Sequence, residues 1–111
     1  MGDNPTVIST DNGHVTLINI FTCAEDAQEA LMKALDKATA ELFAGLPGFI
    51  SANIHAGLDR TRVVNYAQWE SVEAFENMTQ RPDVQEHMDE IMRVARTADP
   101  RLYKLRATYH P

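Results

Sequence analysis

Residues 49–69 read FISANIHAGLDRTRVVNYAQW, and their pattern decides the architecture. Two runs rich in β-branched and aromatic residues, 49–56 and 62–69, flank the short connection Gly57-Leu58-Asp59-Arg60-Thr61. Runs of this kind bounded by turn residues predict strands, and so short a gap predicts a hairpin, although the connection lacks an Asn-Gly or Asp-Gly turn. On either side of the hairpin the chain turns helical and then extended. Upstream, residues 14–21 (HVTLINIF) predict a first strand, with Val15, Leu17, Asn19 and Phe21 on one face and Thr16, Ile18 and Ile20 on the other. Thr22-Cys23-Ala24-Glu25 has the form of a capping box, which predicts Thr22 as the N-cap of a helix running to about residue 44. Ala27, Leu31, Leu35, Ala38 and Leu42 recur along it at helical spacing, and Gly45 suits the position just past its end. Downstream, Ser71 is the expected cap of a second helix carrying Val72, Phe75 and Met78, which Arg81-Pro82 interrupts. Residues 83–96 continue the helical pattern through Val84, Met88, Ile91, Met92 and Ala95. Asp99-Pro100 is expected to end it, leaving residues 102–109 (LYKLRATY) as a fourth strand. Residues 1–13 are polar and turn-rich, and read as a flexible arm ahead of a single domain spanning 14–111.

The resulting order, β-α-β-β-α-β, is associated with the ferredoxin-like fold, an α+β architecture with an antiparallel sheet. Two helices cover only one face of four strands. Apolar residues nevertheless fall on both faces: Leu17 and Phe21 against Ile18 and Ile20, and Val63 against Val64. An uncovered face bearing Ile, Val and Tyr is an apolar patch of the kind that marks a partner surface. The expected partner is a second copy of the chain, sheet against sheet, in a homodimer.

Composition narrows the function. At 111 residues, 44% hydrophobic and 23% charged, the chain suits one ordinary globular domain. Ten basic against 16 acidic residues give a net charge of −6, which offers no basic face for phosphates, so nucleic acid is not an expected partner. No apolar run approaches the ~20 residues of a membrane span, and no membrane association is expected. The start, Met1-Gly2-Asp3-Asn4-Pro5, has neither the basic nor the apolar segment of a secretory signal. The single cysteine, Cys23, supplies neither an internal disulfide nor a zinc constellation. A cytoplasmic protein is expected.

No Gly-x-Ser-x-Gly elbow, phosphate loop or dinucleotide fingerprint occurs. The four histidines, His14, His55, His87 and His110, form no metal motif; His87 and Glu90 are three apart on a helix, which makes at most half a site. Asn65 and Trp69 draw more interest. Four apart in one strand, they share a face with Val63 and Ala67. An amide and an indole N–H in an apolar row need partners. Such a pair serves either as structural core or as a pocket wall, with a flat surface for a ring and an amide for a ligand oxygen. Asn19 supplies a second amide, able to face the same space if the first and third strands are neighbours.

The run Arg62-Val63-Val64-Asn65-Tyr66-Ala67-Gln68-Trp69-Glu70-Ser71, followed by Ala74-Phe75 and preceded by Pro47-Gly48-Phe49-Ile50-Ser51-Ala52, resembles the antibiotic biosynthesis monooxygenase family. Within that family it is most similar to the small anthrone monooxygenases of actinorhodin and tetracenomycin type. The resemblance spans about residues 14–110. It implies a dimeric α+β barrel and oxidation of an aromatic polyketide, an anthrone or phenol, to a quinone by O2 as co-substrate, with no flavin, haem or metal cofactor. It implies active-site roles for Asn65 and Trp69, with Asn19 beside them and Phe75, Met88 and Met92 lining an apolar pocket. Two positions depart from the actinorhodin type: Phe75 stands where a Tyr is found, and Met88 or Asp89 near the place of an Arg. His87, alongside, becomes the candidate proton shuttle. Three other readings stay open: a haem-degrading monooxygenase, which shares the barrel and an Asn at the place of Asn19; a non-catalytic polyketide-binding accessory protein; and a general quinol monooxygenase.

Overall fold

The computed structural model describes residues 5–111, so the first four residues of the expected arm lie outside the described chain. The elements are β1 (Val15–Thr22), α1 (Gln28–Glu41), β2 (Phe49–Ala56), β3 (Arg62–Trp69), α2 (Val72–Thr79), α3 (Pro82–Met92) and β4 (Thr97–Tyr103). The four strands form one antiparallel sheet in the order β2-β3-β1-β4, the ferredoxin-like arrangement. The hairpin has the bounds that the sequence predicts. Ser71 caps α2, its side chain accepting from the Ala74 N–H, and Pro82 opens α3 at its first turn.

Two expectations fail at the ends of elements. Thr22 does not cap α1. It is the last residue of β1, opposite Arg62 and Thr97, and its hydroxyl meets that of Thr97. The chain enters α1 through a single 3-10 turn, Glu25–Ala27, and leaves it through another, Phe43–Gly45, so Gly45 lies inside a turn rather than terminating the helix. In place of a cap, the buried Gln28 side chain donates to the carbonyls of Gly57 and Arg62, at 2.8 and 3.0 Å, and ties the start of α1 to the β2–β3 connection.

The last strand also begins earlier than expected. The helix stops at Met92, and β4 already includes Asp99 and Pro100. A proline argues against a central strand but is tolerated at a sheet edge, and β4 is an edge, paired only with β1. The expected strand over 102–109 survives only at Leu102 and Tyr103.

All three helices pack on one face of the sheet. Phe21 and Val63 meet Leu31, Leu35, Ala38 and Ile91 in one buried cluster. Leu17, Ala67 and Trp69 meet Leu46 and Val84 in a second. Gly48 is essential to the second cluster. Its φ is +84°, and a Cβ there would lie 2.4 Å from the Ala74 Cβ, so only glycine lets the turn before β2 close against α2. The opposite face carries Ile18, Ile20, Val64 and Tyr66, with no helix over them. Residues 5–13 hold no helix or strand, and they reach this outer face through two hydrogen bonds. Gln68 Nε2 donates to the Val7 carbonyl at 2.8 Å, and Thr6 Oγ1 donates to Asn53 Oδ1 at 2.7 Å.

Candidate active site

The register of β1 on β3 sets the site. Alternation along β3 turns Val63, Asn65, Ala67 and Trp69 toward the helices, and Asn19 of β1 lies directly opposite Asn65. Two amides therefore face each other across adjacent strands in an otherwise apolar row. Neither side-chain carbonyl has a partner: Asn19 Oδ1 and Asn65 Oδ1 are both buried and unbonded, as is the indole Nε1 of Trp69, which is 2% exposed. Leaving a buried donor or acceptor unpaired costs roughly 1–3 kcal/mol. Three such atoms fall on one sheet face, although buried polar groups are ordinarily paired. A fourth unpaired atom, His14 Nδ1, stands apart at the start of β1, under Ile8, Ser9 and Asn12.

An apolar cavity of about 150 Å³ is lined by Asn19, whereas Asn65 and Trp69 are not part of its wall. Asn19 and Pro100 form its sheet side, Phe75 and Met78 of α2 one helical wall, and Val84 and Met88 of α3 another. Phe43, Thr79 and Gln85 complete it. Asn65 lies beside Asn19 in the sheet. Trp69 reaches the cavity through Phe75, whose ring it meets edge-on at 6.3 Å, while Phe49 packs on the indole from another direction at 5.6 Å. Edge-to-face contacts of this kind fix the orientation of the indole.

The structure thus puts Asn19, Phe75 and Met88 on the cavity wall, with Asn65 beside Asn19 and Trp69 behind Phe75, and it separates His87 and Met92 from them. Val84, Gln85 and Met88 share the face of α3 that meets the cavity. His87 is one residue, about 100°, around the helix; it is half-buried and absent from the cavity wall. Met92, one turn beyond Met88, is 38% exposed. Glu90, the other half of the possible metal pair, faces Lys37 at 3.5 Å. Among the described residues there is no group of three His, Cys, Asp or Glu side chains placed to hold a metal ion.

Sequence reasoning missed Phe43, Thr79, Gln85 and Pro100 as cavity residues, and it read Met78 and Val84 only as helix core. Nothing in the local pattern distinguishes them. Phe43 is brought in by the 3-10 turn after α1, and Pro100 by the edge strand.

The wall contains no titratable side chain. The shifted groups lie elsewhere. Burial pushes the Cys23 thiol up, in the other core cluster. The Arg81 guanidinium holds the exposed Asp83 carboxyl below its ordinary value. The arrangement therefore offers a half-open apolar space with the Asn19 amide in its wall, Asn65 beside Asn19 in the sheet, and no acid or base among the residues of the wall.

The family model for antibiotic biosynthesis monooxygenases matches residues 14–90. Tetracenomycin-F1 monooxygenase of Streptomyces glaucescens is 41% identical over 81 residues, covering 73% of this chain and 72% of that protein. The crystal structure of SnoaB, a cofactor-independent oxygenase from Streptomyces nogalater, is 27% identical with a TM-score of 0.72, over 86% of this chain and 96% of that one. A monooxygenase from the gene ActVA-Orf6 of Streptomyces coelicolor, in complex with nanaomycin D, is 28% identical with a TM-score of 0.76, over 89% and 92% of the two chains. With its sheet order, its paired amides and indole, and these matches, the chain belongs to the antibiotic biosynthesis monooxygenase family.

Proposed function

We propose that this protein is a cofactor-independent monooxygenase of polyketide biosynthesis, oxidising an aromatic polyketide, an anthrone or phenol, to a quinone with O2. The observation that carries the reading is the set of unpaired polar atoms, Asn19 Oδ1, Asn65 Oδ1 and Trp69 Nε1, on one sheet face, with Asn19 in the wall of an apolar cavity. Support comes from relatives that are a tetracenomycin-F1 monooxygenase, a cofactor-independent oxygenase and a monooxygenase holding nanaomycin D.

The chemistry asks little of the polypeptide. Ground-state O2 is a triplet, and a flavin or metal ordinarily supplies it with single electrons. An anthrone deprotonated at its CH2 carbon is an electron-rich enolate that can do the same. One electron passes to O2, the radical pair combines at the ring carbon, and the peroxide loses water to leave a carbonyl. The substrate gains one oxygen and loses two hydrogens, and the second oxygen leaves as water. The protein holds the ring in a dry space and favours the oxyanion. The Nδ2–H of Asn65, with that of Asn19 opposite, would donate to the phenolate and peroxide oxygens in the manner of an oxyanion hole, and the unpaired Oδ1 atoms would accept from substrate hydroxyls. Phe75 supplies an aromatic wall, and Trp69, packed behind it, would turn its unpaired N–H to a substrate oxygen. No acid or base lines the cavity, so solvent takes the CH2 proton to give the enolate, and a proton returned from solvent to the peroxide anion precedes the loss of water. The haem-degrading reading draws no support from His87, which lies off the wall.

The expected result with flavin-free, metal-free protein is oxygen uptake on a panel of anthrones and naphthacenones, with products heavier by one oxygen and lighter by two hydrogens. Binding without oxygen uptake across that panel would instead favour an accessory role. The apolar outer face, with Ile18, Ile20, Val64 and Tyr66 on it, further supports a homodimer closed sheet against sheet. Sedimentation at micromolar concentration should give twice the chain mass; a monomer there would contradict it.

A further inference from the structure

A second concavity lies on the outer side of α2. It is a groove of about 250 Å³ between that helix and the turn Leu46-Pro47-Gly48. Met78 lines both this groove and the interior cavity. Helical spacing explains why. Ala74 and Asn77 face the groove, with Arg81 past the end of the helix, and Phe75 and Thr79 face the cavity, so Met78 stands where the two faces of α2 meet. Its side chain is half-buried. The other elements at this boundary are held fast: Gly48 is pressed against Ala74, and the Glu70 N–H donates to the Gly48 carbonyl at 2.8 Å. The methionine, unbranched with three rotatable bonds, is the part that can yield.

The volumes give this position its meaning. Sites for sizeable small molecules occupy roughly 300–1,000 Å³. Neither the cavity, at about 150 Å³, nor the groove, at about 250 Å³, reaches that range alone, and joined they do. Their chemistry also differs. The cavity is apolar apart from its amides, whereas Glu70, Glu73, Asn77 and Arg81 border the groove.

We propose that Met78 is the partition that sets substrate length. Moved aside, it joins cavity to groove, so that an elongated fused polycycle seats its apolar rings against Phe75 and Met88 and its polar end among Glu73, Asn77 and Arg81. In the position seen here it confines the cavity to a smaller ring system. This inference rests on the proposed function and adds the determinant of substrate size.

Trp69 is the only tryptophan of the chain and abuts Phe75, so its emission reports binding without any need for turnover. The probes are a two-ring hydroxynaphthoquinone and a linear four-ring hydroxynaphthacenequinone. Met78→Phe is expected to lower the ratio of four-ring to two-ring affinity by about tenfold or more, and Met78→Ala to raise it. Equal weakening of both ligands, or an unchanged ratio, overturns the partition and leaves Met78 as plain packing. Should circular dichroism show Met78→Phe unfolded, Met78→Leu keeps the volume but is stiffer. It is then expected to slow association of the four-ring ligand relative to the two-ring one, and equal rates overturn the proposal. If the unaltered protein binds neither probe, the reading of the site itself fails. If it binds both and only the ratio resists substitution, the partition alone fails.

Discussion

The two halves of the helix-covered sheet face are built to different standards. Under α1, Phe21, Cys23, Leu31, Leu35, Val63 and Ile91 form a closed cluster, and the polar groups near it are satisfied. Gln28 donates twice to backbone carbonyls, and Cys23 Sγ donates to the Arg60 carbonyl at 3.6 Å. Under α2 and α3 the same sheet carries Leu17, Ala67 and Trp69, with a cavity beside them and the unpaired atoms of Asn19, Asn65 and Trp69. Buried polar groups are ordinarily paired, and the first half shows that this chain can pair them. The second half leaves three of them unpaired. One half is closed packing, and the other is the half to which the proposed function assigns binding.

That contrast predicts opposite responses to substitution. The largest effect on stability is expected in the closed half. Leu31 is fully buried, so Leu31→Ala should destabilise by about 2–5 kcal/mol in chemical denaturation, with turnover per folded molecule retained. Asn65→Ala should do the reverse. Turnover should fall by roughly 10²–10³, the usual cost of one oxyanion-hole donor. Stability should change by less than about 1 kcal/mol, since the carbonyl removed has no partner to lose. Trp69→Phe keeps an aromatic ring but deletes the free indole N–H, and turnover should fall about tenfold, the loss of one modest transition-state hydrogen bond. His87→Ala should have the smallest effect, far below the 10²–10⁴ expected of a general base, because His87 is turned off the cavity wall. A large loss there, with a shifted pH–rate profile, would bring His87 back into the chemistry.

The hairpin and the faces of its strands could be read from sequence because alternation and turn composition are local. That was enough to place Asn65 and Trp69 on one face and to suggest Asn19 beside them. The pairing itself depended on strand order, which no single segment contains. β4 was misplaced because Pro100 carries a breaker signal that an edge position overrides. Thr22 has the local form of a cap, yet its backbone is taken up by β3 and β4. The cavity was the least legible part. Its wall draws on Phe43, Met78, Gln85 and Pro100 from four separate segments, and helical periodicity marks apolar positions without saying which of them border empty space. The same limit applied to Met88 and Met92, which carry the same periodic signal on α3 while only Met88 reaches the cavity.

The central claim, that the substrate itself delivers electrons to O2 inside a shaped container, is tested most directly by single-turnover oxygen uptake. The assay uses an anthrone and protein stripped of flavin and metal. The account predicts one O2 consumed per quinone formed, at a rate unchanged by chelator and by added flavin. Turnover that appears only with NADH and flavin, or that chelator abolishes, would contradict it.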